Sequence, residues 1–143
     1  MSGSRVGLAV LAVSLAAGPP ALAANQDACL VEARRDGGQA VESARYRVAF
    51  RTRPEQIVVG EHFTLELMVC PRGDTPRPDT VRVDAEMPEH RHGMNYRARV
   101  TPEGDGRYRA DGLLFHMPGH WVFIFDVRAA DHTDRLTRSV QLE

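Results

Sequence analysis

The chain has no lysine: its 18 basic residues are all arginine, set against 19 acidic ones. We read this as a bias of composition, not as chemistry. The formal net charge is −1, and it becomes one unit more negative if Arg5 leaves with an N-terminal signal. A near-neutral chain lacks the basic footprint of a nucleic-acid binder, so no nucleic acid is expected among its partners. Cysteine is scarce, with only Cys29 and Cys70. There is no Cys-x-x-Cys pair to suggest thiol redox work, and no Cys-x-x-Cys-His to hold covalent haem. A hydrolase needs a nucleophile with a positioned base, yet Ser43 and Ser139 sit in no Gly-x-Ser-x-Gly context. The chain is therefore not expected to be an enzyme.

Long apolar runs are equally scarce. The one that stands out, Val6 to Ala17, follows Arg5 and precedes Gly18-Pro19-Pro20 and the small-x-small pattern Ala21-Leu22-Ala23. It is shorter than the ~20 residues a spanning helix needs. A basic start, an apolar middle and a small-residue end together mark a secretory signal peptide. Residues 1–23 are read as a cleaved signal peptide, with no membrane span afterwards and a periplasmic or secreted destination. In an oxidising compartment two cysteines are expected to pair, so a Cys29–Cys70 disulfide is predicted. Closing a loop of that length constrains the unfolded chain by roughly 4 kcal/mol in the entropic model.

The remaining length suits one domain with one core. Residues 24–44 are polar, show little periodicity and read as an irregular lead-in pinned by Cys29. From Arg45 to Glu143 apolar residues recur two apart, the period of a half-buried strand. Tyr46, Val48 and Phe50 form the first such set, and Phe63, Leu65, Leu67 and Val69 the second. Val81, Val83, Ala85 and Met87 give a third, and Tyr96, Ala98 and Val100 a fourth. Gly104-Asp105-Gly106 is a hairpin signal before a fifth run, Arg107 to Phe115. The sixth, Trp121 to Val127, also carries Val122 and Ile124 on its other face and should be central. A seventh runs from Arg135 to Leu142. About seven short alternating strands with polar turns predict an all-β fold, an immunoglobulin-like antiparallel β-sandwich.

Histidine and methionine are concentrated in two loops. Met87-Pro88-Glu89-His90-Arg91-His92-Gly93-Met94 and His116-Met117-Pro118-Gly119-His120 hold four of the six His residues. If consecutive strands run antiparallel, both loops fall at one end of the sandwich, together with His62. Cys70, His132 and the disulfide fall at the other. Thioether sulfur is soft and favours Cu(I), while imidazole holds either copper state; zinc gains nothing from methionine. The candidate ligands are His92, Met94 and Met117, then His90, His116 and His120. Against them, Met87 falls on the apolar parity of its strand and reads as core, and any one of these His residues could be a solvated or capping residue.

Met87-Pro88 with His92-Gly93-Met94, Gly106-x-Tyr108 and Phe115-x-Met117-Pro118-Gly119-x-Trp121 resembles the YtkA-like domain family, a neighbour of FixH-like proteins. Val59-Gly60-Glu61-x-Phe63 fits the same pattern, and the resemblance runs from Tyr46 to Leu142. It implies an exported or tethered immunoglobulin-like domain linked to copper handling or to assembly of respiratory copper enzymes. It places the family's His/Met loop on His92 and Met94, and its Met before Pro-Gly on Met117. CopC-like sandwiches use an N-terminal His after signal cleavage, whereas this mature chain would begin at Ala24 or Asn25, a departure that favours Cu(I) over Cu(II). Two functions follow as expectations. One is a periplasmic copper carrier with a periplasmic or membrane protein as partner. The other is a metal-free module that binds a partner protein through its loops or a sheet edge.

Overall fold

The computed structural model describes residues 28–143; the expected signal peptide and its cleavage site lie outside the described residues. A short helix spans residues 28–33. Nine strands follow: β1 Gln39–Glu42, β2 Tyr46–Arg53, β3 His62–Pro71, β4 Thr80–Met87, β5 His92–Gly93, β6 Arg99–Gly104, β7 Arg107–Leu114, β8 Gly119–Ala129 and β9 His132–Leu142. They form a five-stranded sheet in the order β1-β2-β3-β7-β6 and a four-stranded sheet in the order β5-β4-β8-β9. Every pairing is antiparallel. The fold is the expected β-sandwich.

The inward faces are the alternating apolar positions. Along β4 the pattern is strict, with Val81, Val83, Ala85 and Met87 buried and their neighbours exposed. Phe50, Phe63, Phe115, Phe123 and Phe125 meet between the sheets with ring centroids 4.8–6.3 Å apart, so both sheets contribute aromatic rings to one core. β8 is central in its sheet, as its two-sided apolar sequence predicts, and Ile124 on its outer face is only 7% exposed.

Residues 24–44 differ from the expected irregular lead-in wherever they are described. The helix at 28–33 lies on the outer face of the five-stranded sheet, where Cys29 packs with Ala49, Met68 and Cys70. Cys29 and Cys70 form the predicted disulfide, with Cα atoms 6.2 Å apart. Glu32, buried, faces Arg107 at 3.2 Å, Arg51 at 3.4 Å and Arg35 at 3.5 Å. Next, β1 adds to the edge of β2, with Ala40 opposite Ala49. Neither element has a long apolar period of its own; tertiary pairing supplies the order.

The fourth expected strand is also displaced, because Tyr96 is 53% exposed and pairing begins at Arg99. The chain crosses between sheets at residues 94–98, leaving β5 in one and entering β6 in the other, so this stretch cannot complete a ladder in either.

Candidate functional site

The hairpin after β4 sets the first wall of the site. A tight turn follows Met87, with the His90 N–H donating to the Met87 carbonyl at 3.1 Å and Arg91 at φ 55°. β5 then folds back so that His92 lies opposite Met87 and Gly93 opposite Glu86. Directly opposed residues share a face. Met87 is buried, so His92 stands on the core side, at the rim of the sandwich. The Met94 N–H donates to the Ala85 carbonyl at 3.2 Å, and Met94 packs against the core.

The second wall comes from the β7–β8 connection. Phe115 is fully buried and stacks on Trp121, with centroids 4.4 Å apart and planes at 13°. Its carbonyl accepts from the Gly60 N–H at 2.8 Å. His116 therefore begins at the inner rim, its ring 5.3 Å from the Trp121 ring and 5.1 Å from the His92 ring. His92 is in turn 5.6 Å from His90, which is exposed. The Trp121 indole N–H donates to the Met117 carbonyl at 3.0 Å, fixing the loop over the core.

The structure thus brings His92, His116 and Trp121 together, with His90 outside them, while Met94 and Met117, on the same two loops, pack against the core. His120 is not part of the group: it precedes the buried Trp121 in an extended strand, so it points to the outer face. His62, at the same end, packs against Tyr96 at 5.5 Å. Met87 is core, as its parity predicts, and its Cε lies 2.8 Å from where a Cβ on Gly119 would stand.

The donor set sets limits on a metal. Among the described residues no group of three or more His, Cys, Asp or Glu has the spacing to hold a metal ion. A site of imidazole and carboxylate alone, the arrangement zinc would use, is therefore not built there. The remaining donors are two neighbouring imidazoles with thioethers, a set suited to soft, monovalent copper. One atom within that set lacks a partner: His116 Nδ1 is buried and makes no hydrogen bond. Buried polar atoms are seldom left so, and an imidazole nitrogen with no hydrogen-bond partner is open to a metal in the tautomer that carries its proton on the other nitrogen. The sequence singled out His116 as one candidate among six. It did not reveal that Trp121 is the surface shared by both imidazoles, although the apolar parity of β8 made Trp121 a core residue.

The YtkA-like family model matches residues 40–126. Among solved structures, the chain is similar to a DUF4426 family protein from Pseudomonas aeruginosa PAO1. That likeness has 12% identity and a TM-score of 0.48, covering 76% of this chain and 98% of that one. No curated protein matches the chain.

Proposed function

The chain belongs to the YtkA-like family, and from that premise we propose that it is an exported copper-binding carrier module whose site is the His/Met pole. The observation that carries this reading is the buried, unpartnered His116 Nδ1 beside the His92 ring. His92 and His116 would hold the ion, with Met94 or Met117 adding a thioether. Copper bound there would be a cargo, passed on by ligand exchange at an exposed rim, and the chain's own part is to keep two imidazoles close and half-shielded from water. An exported, oxidising location is supported by the Cys29–Cys70 disulfide, since such bonds persist where thiols are not kept reduced.

The test is an anaerobic Cu(I) competition titration of the disulfide-oxidised protein against a chromophoric chelator, for the native chain and His92→Ala/His116→Ala. One copper per native chain, held more tightly than about micromolar and lost in the double variant, supports the carrier. Failure of the native chain to compete removes it. The absence of a three-residue His, Cys, Asp or Glu cluster among the described residues favours the second reading, a metal-free interaction module. That module predicts an unchanged copper response and unchanged partner binding when His92 and Met94 are replaced together.

A further inference from the structure

The two edges of the four-stranded sheet are not protected alike. β9, at one edge, carries charged residues at inward positions: Asp134 lies opposite Val127 and Arg138 opposite Phe123. Asp134 is closed off further by Arg45 and Ser43 from the other sheet. Inward charges of this kind are a standard defence against edge-to-edge pairing. β4, at the other edge, has none: its inward positions are Val81, Val83, Ala85 and Met87. β5 covers only Glu86 and Met87, so residues 80–85 have no strand on that side.

The direction of the free hydrogen-bonding groups follows from one contact. The Ala85 carbonyl accepts from the Met94 N–H, so it points away from β8. Groups two residues apart in a strand point the same way, so the N–H and C=O of Val83 and Val81 also face the open side. The Ala85 N–H is capped by the Asp84 carboxylate at 2.8 Å, which ends the open row there. Beside this row runs a groove of about 440 Å³ at the β4 edge, with Val81, Val83, Ala98 and Val100 as its apolar lining.

The rim of the groove selects a charge. Asp126 is engaged by Arg135, in two contacts of 2.8 Å. Arg82 and Arg97 also line the groove, are exposed, and have no carboxylate within ion-pair distance among the described residues, although Arg82 stands across the ladder from Asp126 and its charge helps hold that carboxyl low. With Arg135 they outnumber the two lining carboxylates, Asp126 and Asp84, by one, and Asp84 accepts from the Ala85 N–H. We propose that the open edge of β4 is a docking site for an extended acidic peptide segment of a partner protein, which adds a strand beside residues 80–85 and places carboxylates against Arg82 and Arg97. Main-chain bonds provide the affinity in such strand addition, and side-chain pockets the selectivity. The inference is independent of copper: the groove lies along the length of the β4 edge, away from the His116 ring.

The test uses the disulfide-oxidised protein and a fluorescein-labelled peptide, Thr-Glu-Val-Glu-Val-Glu-Thr, blocked at both ends. Two comparison probes are its arginine counterpart and the same peptide N-methylated at alternate amides, and the protein is sedimented with and without the acidic peptide. The expected result is saturable anisotropy, with the Val81 and Val83 amide resonances shifting on titration. Arg82→Gln/Arg97→Gln, which removes both charges without setting a carboxylate opposite Asp126 and should melt close to the native protein because both side chains are exposed, should bind roughly tenfold more weakly, the scale expected of lost charge complementarity. Equal binding of the N-methylated peptide would show that charge alone holds it and would overturn strand addition. Equal binding of the arginine peptide would overturn the acidic partner. A concentration-dependent dimer in sedimentation that the acidic peptide dissociates would assign the edge to a second copy of this chain instead.

Discussion

The indole N–H of Trp121 donates to the carbonyl oxygen of Met117 at 3.0 Å, tying a fully buried core ring to the loop that bears His116 and Met117. Trp121→Phe should keep the stack on Phe115 but leave the Met117 carbonyl without its donor and a void beside His116. A loss of about 1–3 kcal/mol in urea unfolding is expected. Cu(I) affinity should fall as the loop relaxes. An unchanged melt and unchanged copper binding would mean that the bond positions nothing.

The same indole reports on the site. Trp121 is the sole tryptophan of the chain and lies 5.3 Å from His116 and 6.1 Å from His92, ring to ring. Copper held between those imidazoles should quench its emission in step with the titration. In His116→Gln the quenching should disappear while the emission of the free protein stays unshifted. Quenching that persists would place any bound metal away from His116.

Gly119 is held at φ 125°, and a Cβ there would meet Met87 Cε at 2.8 Å. Two costs therefore act on Gly119→Ala, a backbone conformation that L-residues rarely adopt and a contact with the end of a flexible side chain. We expect a loss of about 1–3 kcal/mol. The contact can be separated from the backbone with a double-mutant cycle: in a Met87→Ala background the same substitution should cost less. Equal cost in both backgrounds would assign the whole effect to the backbone.

Legibility in the sequence followed the range of the interaction. The strict alternation in β4 and the two-sided apolar run of β8 specify a strand with one buried face and a central strand without any neighbour being known. The His/Met loops could be placed at one pole because antiparallel order alone decides which turns share an end. Elements that rest on distant partners left no such trace. Gln39–Glu42 becomes a strand only because β2 offers it an edge, and the helix at 28–33 is a single short stretch pinned by Cys70 and by arginines from β2 and β7. Tyr96 kept the alternation of a strand yet lies in a crossing between sheets. Nor could the sequence say that His120, next to Trp121, faces outward while His116 faces the core; that depends on where β8 begins.

Asp134 predicts an acid-sensitive link between the sheets. Burial pushes its carboxyl up, but hydrogen bonds from Arg45 and Ser43 and the Arg45 charge outweigh this and hold it below the usual aspartate value. A carboxylate with a lowered folded-state pKa contributes stability that is complete above its unfolded value, about pH 4, and is lost as pH falls through the folded one. Asp134→Asn should therefore lower the melting temperature at neutral pH and flatten its decline on the acid side. A native-like acid limb in the variant would locate the responsible carboxylates elsewhere, with Asp126 beside Arg135 next to test.

Two tethers hold the helix at 28–33, and they should fail only together. The disulfide to Cys70 constrains the unfolded chain, and Cys29→Ser/Cys70→Ser is expected to cost about 2–4 kcal/mol in global stability. Glu32 acts differently: it is buried against Arg51 and Arg107, so its removal strips those arginines of a partner without lengthening any loop. In Glu32→Ala the disulfide still anchors the helix, and in the cysteine double variant the buried ion pairs still do. The Arg34-Arg35 bond pair just beyond the helix should therefore resist brief trypsin treatment in each of these proteins under native conditions. In the triple variant neither tether remains, and cleavage there should become rapid while the rest of the sandwich persists. Rapid cleavage in the cysteine variant alone would show that Glu32 contributes little, because loss of the covalent link would by itself free the helix from the sheet.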